Sequence, residues 1–109
     1  MKRSDADRVR AALYHIQRIE KYEANPIDEE RQIDSISMRL SSVLEELSHL
    51  PTGLLDDLFD GKWSEAWGMR NRIAHSYLGV DDDIIVQTVR NRIPGLRANL
   101  ERWLTEHPE

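Results

Sequence analysis

Hydrophobic residues recur every three or four positions along most of the chain, which is the spacing of amphipathic helices. The first such segment runs from about Ser4 to Glu23, where Ser4 and Asp7 give a weak capping signal, and Asn25-Pro26 ends it. The second begins near Asp28 and ends at Pro51. The apolar stripe of the first is Val9, Ala12, Leu13, Ile16 and Ile19, and that of the second is Ile33, Ile36, Leu40, Val43, Leu44 and Leu47.

The remaining pattern also predicts helices. Residues 52–60 have room for a turn or two of helix closed by Gly61, and a third long helix is expected from about Trp63 to Leu78. A fourth starts at the acidic triplet 81–83, and its stripe continues across Pro94-Gly95, where we expect a kink or a break. This stripe comprises Ile85, Val89, Ile93, Leu96, Leu100, Trp103 and Leu104. The sequence therefore predicts a single all-α domain over residues 1–109, an antiparallel bundle of four to five helices.

Composition narrows the possible functions. The chain of 109 residues has a net charge of -5 and a pI near 5.4, so it is not a general binder of polyanions. It has no cysteine, which excludes disulfides, thiolate metal sites and cysteine nucleophiles. Apolar runs are short, four residues at 11–14 and three at 84–86, so we expect no secretory signal, no membrane span and a cytoplasmic location.

The third long helix carries the first candidate for chemistry. At 100° per residue, Arg70 falls in the centre of an apolar face that also holds Trp63, Ala66, Trp67, Ile73, Ala74 and Tyr77. Burying a guanidinium costs several kcal/mol unless it is paired, so a functional role is one explanation. A structural arginine that bridges a carboxylate on another helix, or reaches the bundle edge, is the other.

A polar stripe lies beside that face. Asn71 and His75 are four residues apart, close enough for the amide to orient the imidazole, whereas Arg70 and His75 stand about 140° apart on the helix. This separation favours a site completed by a second copy of the chain. The alternative is that His75 is a surface or interface histidine without chemistry.

Charge is also local in this helix. Between residues 62 and 79 the chain has Lys62, Arg70 and Arg72 against the single carboxylate of Glu65. A small cationic patch on an acidic protein is compatible with a selective phosphate-contacting site.

The octet Arg-Asn-Arg-Ile-Ala-His-Ser-Tyr over residues 70–77 closely resembles the signature helix of HEPN-domain proteins, in particular the HepT-like toxin subfamily with its R-x4-H-x-Y motif. The spacing R-x4-H alone is not specific, because it also occurs as Arg10/His15 and Arg102/His107. The resemblance extends along nearly the whole chain. It includes the two preceding helices, the short Leu-rich segment and a last helix interrupted at residues 93–96.

The resemblance implies the toxin of a toxin–antitoxin system, a metal-independent endoribonuclease in which the RNA 2′-OH attacks the adjacent phosphate. By position, His75 would be the general acid or base and Arg70 would clamp the phosphate, with Asn71 and Arg72 in support. Tyr77 matches the tyrosine that a cognate nucleotidyltransferase antitoxin adenylylates. The implied partners are a second copy of the chain, this antitoxin and the RNA substrate, with no membrane.

Two other functions are compatible with the sequence. One is a non-catalytic HEPN-like subunit of a nucleotidyltransferase complex, which binds a nucleotide or a partner protein, and the other is a plain helical dimerisation module. Relatives often carry Gly-Glu in the second helix where this chain has Ser41-Ser42, which counts against a role for an acidic residue from that helix.

The sequence gives little support for a metal or cofactor. Glu46 and His49 reproduce half of a di-iron carboxylate motif, but such a site needs two copies of it, and Pro51 ends the helix at once. The glycines form no phosphate-binding loop. We therefore expect neither a metal nor a cofactor.

Overall fold

The computed structural model describes residues 3–24, 29–75 and 82–108, and for residues 24, 29–31 and 75 it describes the backbone alone. These residues form six helices and no strand, which confirms the all-α prediction. The helices are α1 (Asp5–Ala24), α2 (Glu29–Leu47), α3 (Thr52–Leu58), α4 (Trp63–His75), α5 (Asp82–Asn91) and α6 (Ile93–Glu106). The number exceeds four to five because the short segment and both halves of the last helix each form a helix.

The start of α1 follows the predicted capping signal. The Ser4 hydroxyl accepts a hydrogen bond from the Asp7 N–H at 3.1 Å, and the Asp7 carboxylate accepts one from the Ser4 N–H at 3.2 Å. This reciprocal pair satisfies two backbone donors at the helix end. The hydrogen bonds from Ser4 lower the pKa of the Asp7 carboxyl.

Polar contacts show that α1 lies antiparallel to both α2 and α6. The side chains of Arg3 and Arg8, near the start of α1, bond Glu46 near the end of α2. At the other end of α1, Glu20 pairs with Arg97 near the start of α6. The prediction of antiparallel packing is therefore confirmed for these helices.

The predicted apolar stripes form one core. Leu13, Ile33, Trp103 and Leu104 are partly buried beside it, and the remaining predicted positions of α1, α2, α5 and α6 are buried. Burial of this apolar surface is the main stabilising term for such a bundle. None of the described helices is long and apolar enough to cross a membrane. The core includes Val9, Ile16, Ile19, Leu40, Val43, Leu47, Ile85, Val89, Ile93 and Leu100.

The predicted interruption near Pro94 is a break between two helices. α5 ends at Asn91, Arg92 follows, and α6 begins at Ile93 with Pro94 in its first turn. Proline fits there because the N–H groups of a first turn have no partner within the helix.

The turn before α4 sets where that helix begins. Asp60 and Gly61 have positive φ angles of 53° and 78°, and the Gly61 N–H donates to the Asp56 carbonyl at 2.9 Å. Glycine adopts this left-handed conformation without steric cost, so the chain leaves α3 and re-enters a helix at Trp63.

Candidate functional site

Arg70 lies on the half-buried face of α4, between predicted apolar positions that pack against the core. These positions are Trp63, Ala66, Trp67 and Ile73. The one buried residue among the described side chains of α4 is Met69, which is 7% exposed, while Ala74 is exposed. The Arg70 side chain keeps 22% of its surface accessible. The buried face also includes Met69, whose sulfur lies 3.5 Å from the Thr88 hydroxyl of α5, a neighbour that the pattern of one helix cannot reveal.

An acidic residue of α2 contacts Arg70. Nη2 of Arg70 donates to Oε2 of Glu45 at 2.8 Å, and the Glu45 side chain is 48% exposed. An acidic residue of α2 therefore lies at the site, although Ser41-Ser42 stand where relatives often carry Gly-Glu. Glu45 lies one turn beyond these serines and turns toward α4, so Arg70 makes the interhelical bridge that was its structural alternative.

The guanidinium of Arg70 packs against an aromatic ring of its own helix. The Cζ atom of Arg70 lies 4.8 Å from the centre of the Trp67 ring, a cation–π contact. Trp67 stacks on Trp63 with ring centres 5.5 Å apart, and Trp63 meets Phe59 edge-on at 4.9 Å. These contacts restrict the arginine without neutralising its charge. Nε of Arg70 is buried and has no hydrogen-bond partner among the described residues.

The other predicted site residues are placed differently. Asn71 Oδ1 accepts a long hydrogen bond from Arg70 Nη1 at 3.4 Å, so the amide contacts the arginine. His75 is the last residue of α4, but its ring is not described, and Tyr77 lies outside the described residues altogether. The structure thus brings Arg70 and Asn71 together and leaves the roles of His75 and Tyr77 as predictions.

Arg72 lines a cavity of about 440 Å³ between α4, α5 and α6, and Arg70 does not line it. Its floor is mostly apolar and includes Met69 and Leu96, while Lys62 and Arg92 also line it. Arg72 therefore lies away from Arg70, although it follows two positions later.

Arg70 opens onto a shallow cleft of about 290 Å³ over the outer face of α2. The side chains of Ser41 and Ser42 are small and leave this groove open, and the Ser42 hydroxyl donates to the Met38 carbonyl at 3.0 Å. The cleft is lined by His15, Ser41, Ser42, Glu45, Glu46 and Arg70. It joins residues of α1, α2 and α4 that are far apart in the sequence.

Like Glu45, His15 lines the cleft but was not singled out by the sequence as functional. Its Nδ1 lies 3.0 Å from Nη1 of Arg39. Arginine can only donate, so Nδ1 is the acceptor and the ring proton of the neutral imidazole sits on Nε2. Burial, and then the charge of Arg39, lower the pKa of His15, against the opposing effect of Glu46. Its R-x4-H spacing with Arg10 was a signal, but three such pairs made it ambiguous.

Glu46, which with His49 resembles half of a di-iron motif, forms ion pairs with two arginines. Arg3 and Arg8 reach its two carboxylate oxygens at 2.9 and 3.2 Å. Burial raises the pKa of Glu46, but the hydrogen bonds from Arg3 and Arg8 outweigh this and hold it below its usual value. In the part of the chain that the structure describes, no three His, Asp or Glu residues are grouped so that they could hold a metal ion.

The arrangement around Arg70 can receive an anion. A planar guanidinium offers paired donors that match a phosphate, and its present partner is a half-exposed carboxylate that a phosphate could replace.

The model of a family described as Ribonuclease HepT-like matches residues 9–103 of this chain. No solved structure matches it significantly.

Proposed function

The chain belongs to the HepT-like ribonuclease family, and from this premise we propose that it is a metal-independent endoribonuclease, the toxin of a toxin–antitoxin system. In the proposed reaction the RNA 2′-OH loses its proton and its oxygen bonds to the adjacent phosphorus. The bond from phosphorus to the 5′ oxygen breaks, and that oxygen takes up a proton. The observation that carries the proposal is the partly exposed guanidinium of Arg70, which lines the cleft.

Arg70 binds the scissile phosphate in this proposal. The phosphate displaces the carboxylate of Glu45 from the guanidinium, while Trp67 keeps the side chain in place. Charge on the non-bridging oxygens grows as the 2′ oxygen attacks, so a fixed cation stabilises the transition state more than the ground state.

His75 transfers the protons. A free imidazole has a pKa near 6.5, which allows it to act as a base toward the 2′-OH or as an acid toward the 5′ oxygen. Because His75 is 140° away from Arg70 on an ideal helix, we propose that the histidine acting with Arg70 comes from a second copy. An exposed apolar side chain supports an interface beside the cleft, since Met38 on α2 is 74% exposed.

Tyr77 is the proposed point of control. A nucleotidyltransferase antitoxin would adenylylate its hydroxyl, and the added phosphate would compete with RNA for Arg70. Co-expression with the nucleotidyltransferase should add nucleotide mass to the peptide that contains Tyr77, and Tyr77→Phe should abolish the addition. A peptide that stays unmodified beside a competent partner would contradict this control.

The ribonuclease is tested with purified protein, single-stranded RNA and EDTA. The wild type should cleave, whereas Arg70→Gln and His75→Ala should each lose at least about 100-fold in rate, because each removes transition-state stabilisation or proton transfer. Arg102→Gln and His107→Ala are matched controls, since they alter the R-x4-H pair at the end of α6, and neither residue lines the cleft. Circular dichroism checks the fold of each variant.

Cleavage that survives both site substitutions would overturn the assignment. Binding of RNA without cleavage by folded wild-type protein would instead favour the non-catalytic HEPN-like subunit.

A further inference from the structure

Two arginines between α1 and α2 are held by aromatic rings and a histidine. Arg18 lies over the ring of Tyr22 at 5.6 Å, with Nη2 3.5 Å from the Tyr22 hydroxyl. Arg39 lies over the ring of Tyr14 at 5.7 Å and donates to His15. We call these five residues the Arg18–Arg39 surface.

Neither arginine of this surface has a carboxylate partner among the described residues. Ion pairs engage Arg3, Arg8, Arg10, Arg70 and Arg97, but no described Asp or Glu lies within ion-pair distance of Arg18 or Arg39. Nε of Arg18 is also buried without a hydrogen-bond partner. In a chain with net charge -5, two neighbouring arginines without a described carboxylate partner form a local positive region.

The titratable groups of the surface agree with a positive potential. Hydrogen bonds from Arg18 and Arg39 lower the pKa of the Tyr22 hydroxyl. Burial and then Arg39 lower the pKa of His15. The lowered pKa of the Tyr22 hydroxyl is the shift expected beside cations, and Arg39 acts on His15 in the same direction after burial.

The surface is continuous with the cleft. His15 bonds Arg39 on one side and lines the groove that ends at Arg70 on the other. A strand bound across Arg70 can therefore continue past His15 onto α1. Tyr14 stands at this border with its side chain still 53% exposed, and its ring meets His15 edge-on at 5.5 Å.

We propose that the Arg18–Arg39 surface binds single-stranded RNA next to the scissile phosphate. The two guanidinium groups contact backbone phosphates, and the exposed ring of Tyr14 stacks on a base. Alternating cations and aromatic rings suit a nucleic acid strand better than an acidic protein, which has no bases to stack. A duplex hides the base faces and fits less well. The proposal rests on the proposed ribonuclease function and extends its substrate site.

The test measures binding of a fluorescent, non-cleavable 2′-O-methyl RNA of twelve nucleotides by anisotropy over a series of salt concentrations. The double variant Arg18→Gln/Arg39→Gln should bind at least about tenfold more weakly at low salt, and its log–log salt slope should fall by about 1.4, the value for two lost phosphate contacts. Arg90→Gln/Arg102→Gln makes the same charge change on exposed positions of α5 and α6 and should bind like the wild type.

Tyr14→Ala gives a second readout that does not change charge. It should weaken binding of the single strand about tenfold and binding of duplex RNA much less, because only the single strand stacks on the ring. Since Tyr14 is largely exposed, this variant keeps the proposal testable even if the double arginine variant fails to fold. Thermal melting identifies that failure.

Equal binding by the double variant and its charge-matched control would overturn the proposal, and so would an unchanged single-strand preference in Tyr14→Ala. Polyglutamate that competes as effectively as RNA would also overturn it, because this result would indicate an acidic protein partner. A failure of the ribonuclease itself is distinguishable, because then the wild type would not cleave any RNA while these binding measurements keep their meaning.

Discussion

At the scale of single residues, the contact between Arg70 and Glu45 decides how the cleft meets an anion. Each partner is partly exposed, and surface ion pairs of this kind contribute at most about 1 kcal/mol. The pair therefore adds little to stability, while its carboxylate repels phosphate and occupies the guanidinium donors. Glu45 is better described as a competitor of the ligand than as a support for the fold.

Glu45→Gln should accordingly raise affinity for non-cleavable RNA about threefold to tenfold, because it removes one like charge beside Arg70. The free energy of unfolding should change by less than about 1 kcal/mol. Anisotropy and urea denaturation measure the two quantities. Weaker binding by the variant would show that Glu45 positions Arg70 for the ligand.

His15 makes stability depend on pH. Its pKa in the folded protein lies below the usual value of 6.5, so the unfolded chain binds the proton more readily. The contribution of His15 to stability is therefore complete above about pH 6.5 and is lost as the pH falls through the pKa of the folded state. Protonation would place a second cation against Arg39, and Glu46 only partly offsets it.

His15→Gln should flatten this part of the pH profile, because glutamine does not titrate and can still accept a hydrogen bond from Arg39. Urea denaturation of the variant and the wild type between pH 5 and 8 measures the difference. His107→Gln, on an exposed residue at the end of α6, serves as the control. A wild-type profile that His15→Gln leaves unchanged would contradict the neutral histidine.

At the scale of helices, the start of α1 depends on the reciprocal bonds between Ser4 and Asp7. Ser4→Ala should lower the free energy of unfolding by about 1 kcal/mol, the usual cost of losing such a cap. Ser64→Ala, in the exposed first turn of α4, is the control for the change of residue type. Urea denaturation compares them, and equal stability of Ser4→Ala and wild type would show that the cap is dispensable.

The helices themselves could be predicted because spacing along one segment determines which side is buried. Val9, Ile16, Leu40 and Leu47 show this for α1 and α2. The burial of Met69 on α4 could not be predicted, because the apolar stripe did not include it and its contact with Thr88 of α5 depends on packing. The break near Pro94 was visible because proline lacks the N–H that a helix interior needs.

The site could be predicted only where its residues are close in sequence. Arg70 was identified within one octet, whereas Glu45 and His15, which line the same cleft, belong to two other helices. Their position at the cleft depends on how α1, α2 and α4 pack, which no local pattern encodes. The three R-x4-H pairs looked alike in spacing, and only packing places His15 beside the cleft.

At the scale of the whole molecule, the proposed site is shared between two copies of the chain. Mixing Arg70→Gln with His75→Ala should then restore activity, because each mixed dimer contains one site with both residues intact. Random exchange makes half of the dimers mixed with one working site of two, so about one quarter of wild-type activity is expected. No recovery, with dimers proven by light scattering, would place both residues of each site in one copy.

The central claim is that the RNA 2′-OH attacks the adjacent phosphate, so the chemical groups at the ends of the cleaved RNA test it most directly. Mass spectrometry of RNA cleaved in EDTA should find a 2′,3′-cyclic phosphate or its hydrolysed 2′- or 3′-monophosphate on one fragment and a 5′-hydroxyl on the other. A 2′-deoxy substitution at the cut position should block cleavage there. Fragments with 3′-hydroxyl and 5′-phosphate ends, or cleavage through the 2′-deoxy position, would contradict the account.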